Sequence, residues 1–316
     1  MQRVVPSRDG DSAGTYLFRF YWVGTVFAWW LGMETPLLSF SSDRWTTTLL
    51  DDVRALMETG ALWEAELTCR QAIVEIEGCF GEQTIAGVEA HMMLAELRFQ
   101  DGDLSEAQQQ LQQVIRLLSR MPDQGPAVCR LRVQALGRQG LIAVLAGSPE
   151  EGLPLLRQAL LRARRQLGPS DAEVRCCLNA LAFASRRSGR LSLAASQLRE
   201  ALRCSAGAPP EQVALLHRNL ACLELERGRP ERGEPHARAA IALLQRAGNP
   251  VAAVQVLLAQ LIQRRDVAEA EQVLREAIPS LEESERQEAC RLMAALLAQQ
   301  EDRVQAGANR WRAEAA

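Results

Sequence analysis

From about residue 46 onward, apolar residues recur at three- and four-residue spacing in runs of 12 to 20, each ending in a short cluster of Gly, Pro, Asp or Ser. No stretch of useful length alternates between apolar and polar residues, so the body is predicted to be all-α, built from helices of solenoid length. Within one run, GRLSLAASQLREAL at 189–202, small residues follow the glycine at plus five (Ala194) and plus twelve (Ala201).

The same pattern recurs along the chain. Gly60 precedes Ala65 and Ala72, Gly102 precedes Ala107 and Val114, Gly147 precedes Gly152 and Ala159, and Gly228 precedes Gly233 and Ala240. A last copy has Arg265 in place of the glycine before Ala270 and Ala277. The intervals between copies are 42, 45, 42, 39 and 37 residues. A glycine that ends one helix can take the left-handed conformation that reverses the chain. Small residues seven apart on the returning helix then let two antiparallel helices approach closely. Residues 46–279 therefore read as about six helix pairs, and 280–316 as a terminal helix covering the last pair. Ser280 and Glu283 have capping-box spacing, and the polar tail from Glu301 is predicted to fray.

These units resemble the tetratricopeptide repeat family, and their period resembles the roughly 42-residue kinesin-light-chain type. The small position of helix A, seven before the turn glycine, is Ala95, Gly140, Ala182 and Ala221. A G-P-x-D loop (Gly168, Pro169, Asp171) precedes the L-N-x-L-A core of Leu178, Asn179, Leu181 and Ala182, and Asn219, Leu220 and Ala221 repeat part of that core. The resemblance implies a right-handed superhelical solenoid of antiparallel helix pairs, without enzymatic activity or cofactor, that binds partner segments in its concave groove. It places the groove-facing positions ten, six and three residues before each turn glycine. These are Met92, Glu96 and Phe99, then Gly137, Leu141 and Val144, then Asn179, Phe183 and Arg186, and finally Arg218, Cys222 and Leu225. Arginine forks suit carboxylates and asparagine can bond a peptide backbone, so the expected partner is a protein or peptide with an acidic group beside an apolar anchor, held by Asn179, Arg186 and Arg218. Equally, these side chains could only bridge neighbouring helices. A sensory helical domain for a small peptide signal and a membrane-anchored assembly factor are the alternative functions.

Composition sets residues 1–45 apart. They hold Tyr16, Phe18, Phe20, Tyr21, Trp22, Phe27, Trp29, Trp30, Phe40 and Trp45, most of the aromatic residues in the chain. YLFRFYWVGTVFAWWLGM at 16–33 is long enough to span or lie in a bilayer, with Arg19 placed to snorkel. Two other readings stand beside a membrane anchor: Met33 as the normal start of the body, and aromatic packing against the first repeat.

A formal net charge of -3 offers no field for a polyanion, so nucleic acid is not an expected partner, and the RARR run at 162–165 reads as a solvated helix face. Every basic residue is arginine, as in proteins of GC-rich, bacterial-like genomes. Cys69, Cys79, Cys129, Cys176, Cys177, Cys204, Cys222 and Cys290 show no metal-binding spacing and read as thiols of a reducing, cytoplasmic compartment. His91, His217 and His236 form no catalytic motif, and the DGD at 101–103 lacks the remainder of a calcium loop, leaving a turn and an acidic helix start.

Overall fold

The computed structural model describes residues 43–314 apart from 82, 123 and 124, with side chains described for 46–298. Residues 1–42, and with them the three readings of the aromatic segment, lie outside the described residues. Among the described residues all regular structure is helical. The chain divides into two compact units, the first ending at Cys204 and the second starting at Ser205. The first unit contains four helix pairs: α1 (Asp43–Glu58) with α2 (Leu62–Phe80), α3 (Ile85–Gln100) with α4 (Leu104–Arg120), α5 (Pro126–Leu145) with α6 (Pro149–Gln166), and α7 (Ala172–Arg187) with α8 (Leu191–Arg203). The second contains α9 (Pro210–Glu226) with α10 (Pro230–Arg246), α11 (Ala252–Ile262) with α12 (Val267–Ala277), and a final α13 (Glu283–Glu314).

The predicted turns form as the sequence requires. Gly189 has φ +70° and its N–H donates to the Arg186 carbonyl, while the Arg190 N–H donates to Ser185, the pairing of a Schellman stop. Gly60, Gly102, Gly147 and Gly228 also have positive φ. A second glycine series, at 81, 125, 168, 207 and 248, takes positive φ between one pair and the next. Thr84, Asp103, Asp171 and Asp266 cap helix starts with their side chains, which gives Asp103 of the DGD stretch its role.

The small positions lie where helices A and B come closest. Ala65, Ala107, Ala194 and Ala270 are fully buried. A Cβ added at Gly140 would sit 2.9 Å from the Gly152 carbonyl oxygen, and one added at Gly152 would collide with the Gly140 carbonyl and the Val144 side chain. The backbones of α5 and α6 are therefore in direct contact. At Gly233 the nearest atoms are a flexible Leu261 methyl at 2.6 Å and the Ala221 carbonyl at 3.0 Å. Pro154 and Pro235 are carried inside continuous helices.

In the second unit the pair without a turn glycine still closes. The Arg265 and Asp266 N–H groups both donate to the Ile262 carbonyl, and each of the two helices is only 11 residues long. One expectation for the end of the chain changes. Helix α13 opens at Glu283, so Ser280 lies in a 3-10 turn (Ile278–Ser280) and not at an N-cap; the helix runs to Glu314.

Gly152→Ala separates propensity from packing. Alanine would favour the helix by up to about 1 kcal/mol, whereas overpacking costs about 1–3 kcal/mol. Urea unfolding should show a net loss of stability for Gly152→Ala and a smaller one for Gly233→Ala, where a side-chain methyl can move. A stabilised Gly152→Ala would contradict the close approach.

Candidate partner-binding site

In the first unit each helix A touches the next one: α1 meets α3, α3 meets α5, and α5 meets α7. The groove positions assigned from sequence lie along this layer. Met92, Glu96, Phe99, Leu141, Asn179 and Phe183 are all buried, as are Gly137 and Val144, and Arg186 is half-buried at the end of α7. None of the first six presents an open surface in the folded chain. In the second unit Cys222 is buried, while Arg218 and Leu225 are half-buried on α9. Arg186 and Arg218 thus belong to different units, and each is considered with its own.

Charged groups tie the A helices to one another. Arg138 Nη1 donates to the Met92 carbonyl at 3.1 Å, and its Nε lies 3.9 Å from Glu96 Oε2, joining α5 to α3. Gln134 donates to Glu173 Oε1 at 2.7 Å, and Arg130 grips Asp171 through two bonds of 3.1 Å, joining α5 to α7. Burial raises the Glu96 and Glu173 carboxyls, the latter to about 7 despite the Gln134 bond and Arg130, and it lowers the Arg138 guanidinium. Removing one partner from such a pair strands the other charge. These ties therefore fix the alignment of α3, α5 and α7.

The histidines serve packing. His91 bridges Glu77 of α2 at 3.1 Å and Gln110 of α4 at 2.9 Å. His217 and His236 face each other across the α9–α10 pair with Nδ1 atoms 2.9 Å apart, and burial followed by the neighbouring ring holds His217 below its ordinary value. Among the described residues no three His, Cys, Asp or Glu side chains converge to hold a metal ion. No helix among them is long and apolar enough to cross a membrane.

The tetratricopeptide repeat model matches residues 131–206, from the middle of α5 to just past α8. Over that stretch the helix pairs match the tetratricopeptide repeat. Solved structures carry the same fold over more of the chain. BtubC (BKLC) from P. vanneervenii is 16% identical with a TM-score of 0.52, over 82% of this chain and 93% of that one. A variant of the nearly identical TPR-like repeats of a putative kinesin light chain from Podosopora anserina is 15% identical with a TM-score of 0.51, over 66% and 99%. A signal transduction ATPase with a tetratricopeptide repeat sensor from Pyrococcus horikoshii is 14% identical with a TM-score of 0.62; 79% of this chain aligns, spanning 38% of that protein. No curated protein matches the chain in sequence. Tetratricopeptide repeats are in general non-enzymatic scaffolds that bind protein partners.

Two features of the repeats are absent from the sequence reading. One is the set Arg130, Gln134, Arg138 and Glu173, the first two half-buried and the last two buried, signalled only by polar residues inside the predominantly apolar A helices. The other is an exposed apolar stripe on α2: Trp63 (76% exposed), Leu67 and Val74. Positions i, i+4 and i+11 share one helix face, a spacing readable in the sequence.

Burial of Glu173 gives stability a pH dependence. A carboxyl whose folded pKa of about 7 exceeds its unfolded 4.5 holds its proton more tightly when folded. Its contribution is therefore complete below about pH 4.5 and is lost as the pH rises through 7. Glu173→Gln keeps an acceptor for Gln134 without the charge. It should be more stable than the unmodified chain at pH 8, by about 1–3 kcal/mol, with the gap closing near pH 4.5. A gap independent of pH in urea titrations would refute the assignment.

Proposed function

We propose that the chain is a non-enzymatic adaptor whose A-helix face receives a single partner segment, extended or helical, and not a folded surface. The observation that supports this is the half-buried Arg186 at the end of α7, a groove-assigned side chain that solvent still reaches, on a repeat fold that in general binds protein partners. A planar guanidinium there suits a carboxylate of the partner segment. Arg186 at the end of α7 supplies the cation for an acidic group beside the apolar anchor. Arg218 on α9 does the same within the second unit. The eight cysteines are free, which fits a cytoplasmic adaptor.

The test is affinity capture with full-length protein, comparing the unmodified chain with Arg186→Glu and Arg218→Glu separately. Charge reversal should weaken retention of an acidic partner segment by at least about tenfold while leaving the helical circular dichroism unchanged. Equal retention by both variants would remove the arginines from the site. Loss in only one would assign the acidic group to that unit.

A further inference from the structure

The outer face of α2 differs from that of the other B helices that follow a turn glycine. Counting from that glycine, plus three is Trp63 in α2 but Ser105, Glu150, Ser192 and Glu231 in α4, α6, α8 and α10. Plus seven is Leu67, against Gln109, Pro154, Ser196 and Pro235. Plus fourteen is Val74, where the others are mixed, with arginine in α4 and α8 and apolar residues in α6 and α10. The repeat therefore does not need an apolar line there for its own packing. In α2 the three side chains are 76%, 52% and 71% exposed and share one helix face. An exposed apolar line of this kind, unlike scattered single residues, marks a contact with another molecule. Gly78 continues the line at plus eighteen, where α4, α6 and α10 carry Arg120, Arg165 and Arg246 at their C-terminal ends. Arginine suits a helix C-terminus and glycine weakens a helix. Gly78 is not among the glycines of positive φ, and a Cβ there would meet nothing within 4 Å. Neither backbone conformation nor packing within the chain calls for it.

We propose that this line is the two-fold contact of a homodimer, with α2 packed antiparallel on α2 of a second copy. The spacing supplies the register. Trp63 and Gly78 stand equally far from the midpoint between positions 70 and 71, and so do Leu67 and Val74. A two-fold axis at that midpoint sets each Trp63 over Gly78 of the second copy, where the missing side chain leaves room for the indole, and each Leu67 against Val74. Gln71 meets its own copy beside the axis as a neutral amide, which can both donate and accept. Arg70, on the other flank, is turned to Glu66 and to Glu106 of α4. Glu64 nears Glu75 of the second copy only at the exposed rim, where water and salt screen the two carboxylates. An unrelated partner would not require the line to match itself when reversed. The line is about 22 Å long, at 1.5 Å per residue, so the contact falls at the small end of protein interfaces and the dimer is a reversible, micromolar one. The inference concerns the outer face of α2 and is separate from the A-helix reading.

Light scattering tests this on the full chain. Across about 1 to 200 μM the mass should rise from 34.9 kDa toward twice that value. Trp63→Ser and Gly78→Arg should each weaken association at least about tenfold, with the helical circular dichroism unchanged. Gly78→Arg is the sharper probe, because it restores the residue found in α4, α6 and α10 and should leave the melting temperature of the monomer no lower. Should Trp63→Ser lose helicity, Gly78→Arg alone decides. A mass that stays at the monomer value, or association that a folded variant retains in full, would overturn the proposal. Register is read by cross-linking. With a short bis-maleimide, Gln71→Cys should join position 71 of two copies at about tenfold the yield of Ser196→Cys on the outer face of α8, as mapped by mass spectrometry. Equal yields at the two positions would also overturn it.

Discussion

Everything in the first unit depends on how closely α5 and α6 approach, and on the equivalent approach in each neighbouring pair. Gly140 and Gly152 face one another with no room for a Cβ, and alanines hold the same places elsewhere. At that spacing the two backbones gain dispersion contacts along the whole pair, and neither helix can rotate without a collision. The rotation of helix A is thereby fixed, and with it the side from which positions such as Asn179 and Phe183 emerge. A bulkier residue at plus five would turn the helix and scatter that row.

Packing of small residues fixes each pair, but it does not align one pair with the next. Polar ties supply that alignment in the first unit: Arg138 reaches back to α3 while Gln134 and Arg130 reach forward to α7. Their cost is the burial of charge, seen in the raised Glu96 and Glu173 carboxyls. On the outer side the ties are cheaper, because Arg70 with Glu106 and Arg164 with Glu200 join successive B helices in contact with solvent. The second unit uses the same surface device where Arg238 and Arg265 share Glu234 and Glu269.

The repeat was legible in the sequence because it is local: a glycine and two small residues within thirteen positions encode one turn and one contact. The stop at Gly189 and the cap at Asp171 are of that kind. The ties between pairs join residues about forty positions apart and involve different side chains at each junction, so no period reveals them. Exposure along the groove row depends on what lies over it, which spacing within the row does not encode.

The central claim is that small residues in direct contact hold each helix pair together and so fix the rotation of its A helix. A crystal structure of the full chain tests this most directly. The account predicts the Gly140 and Gly152 backbones in contact, with no room between them for a Cβ. Backbones held apart there by the width of a side chain would contradict the claim.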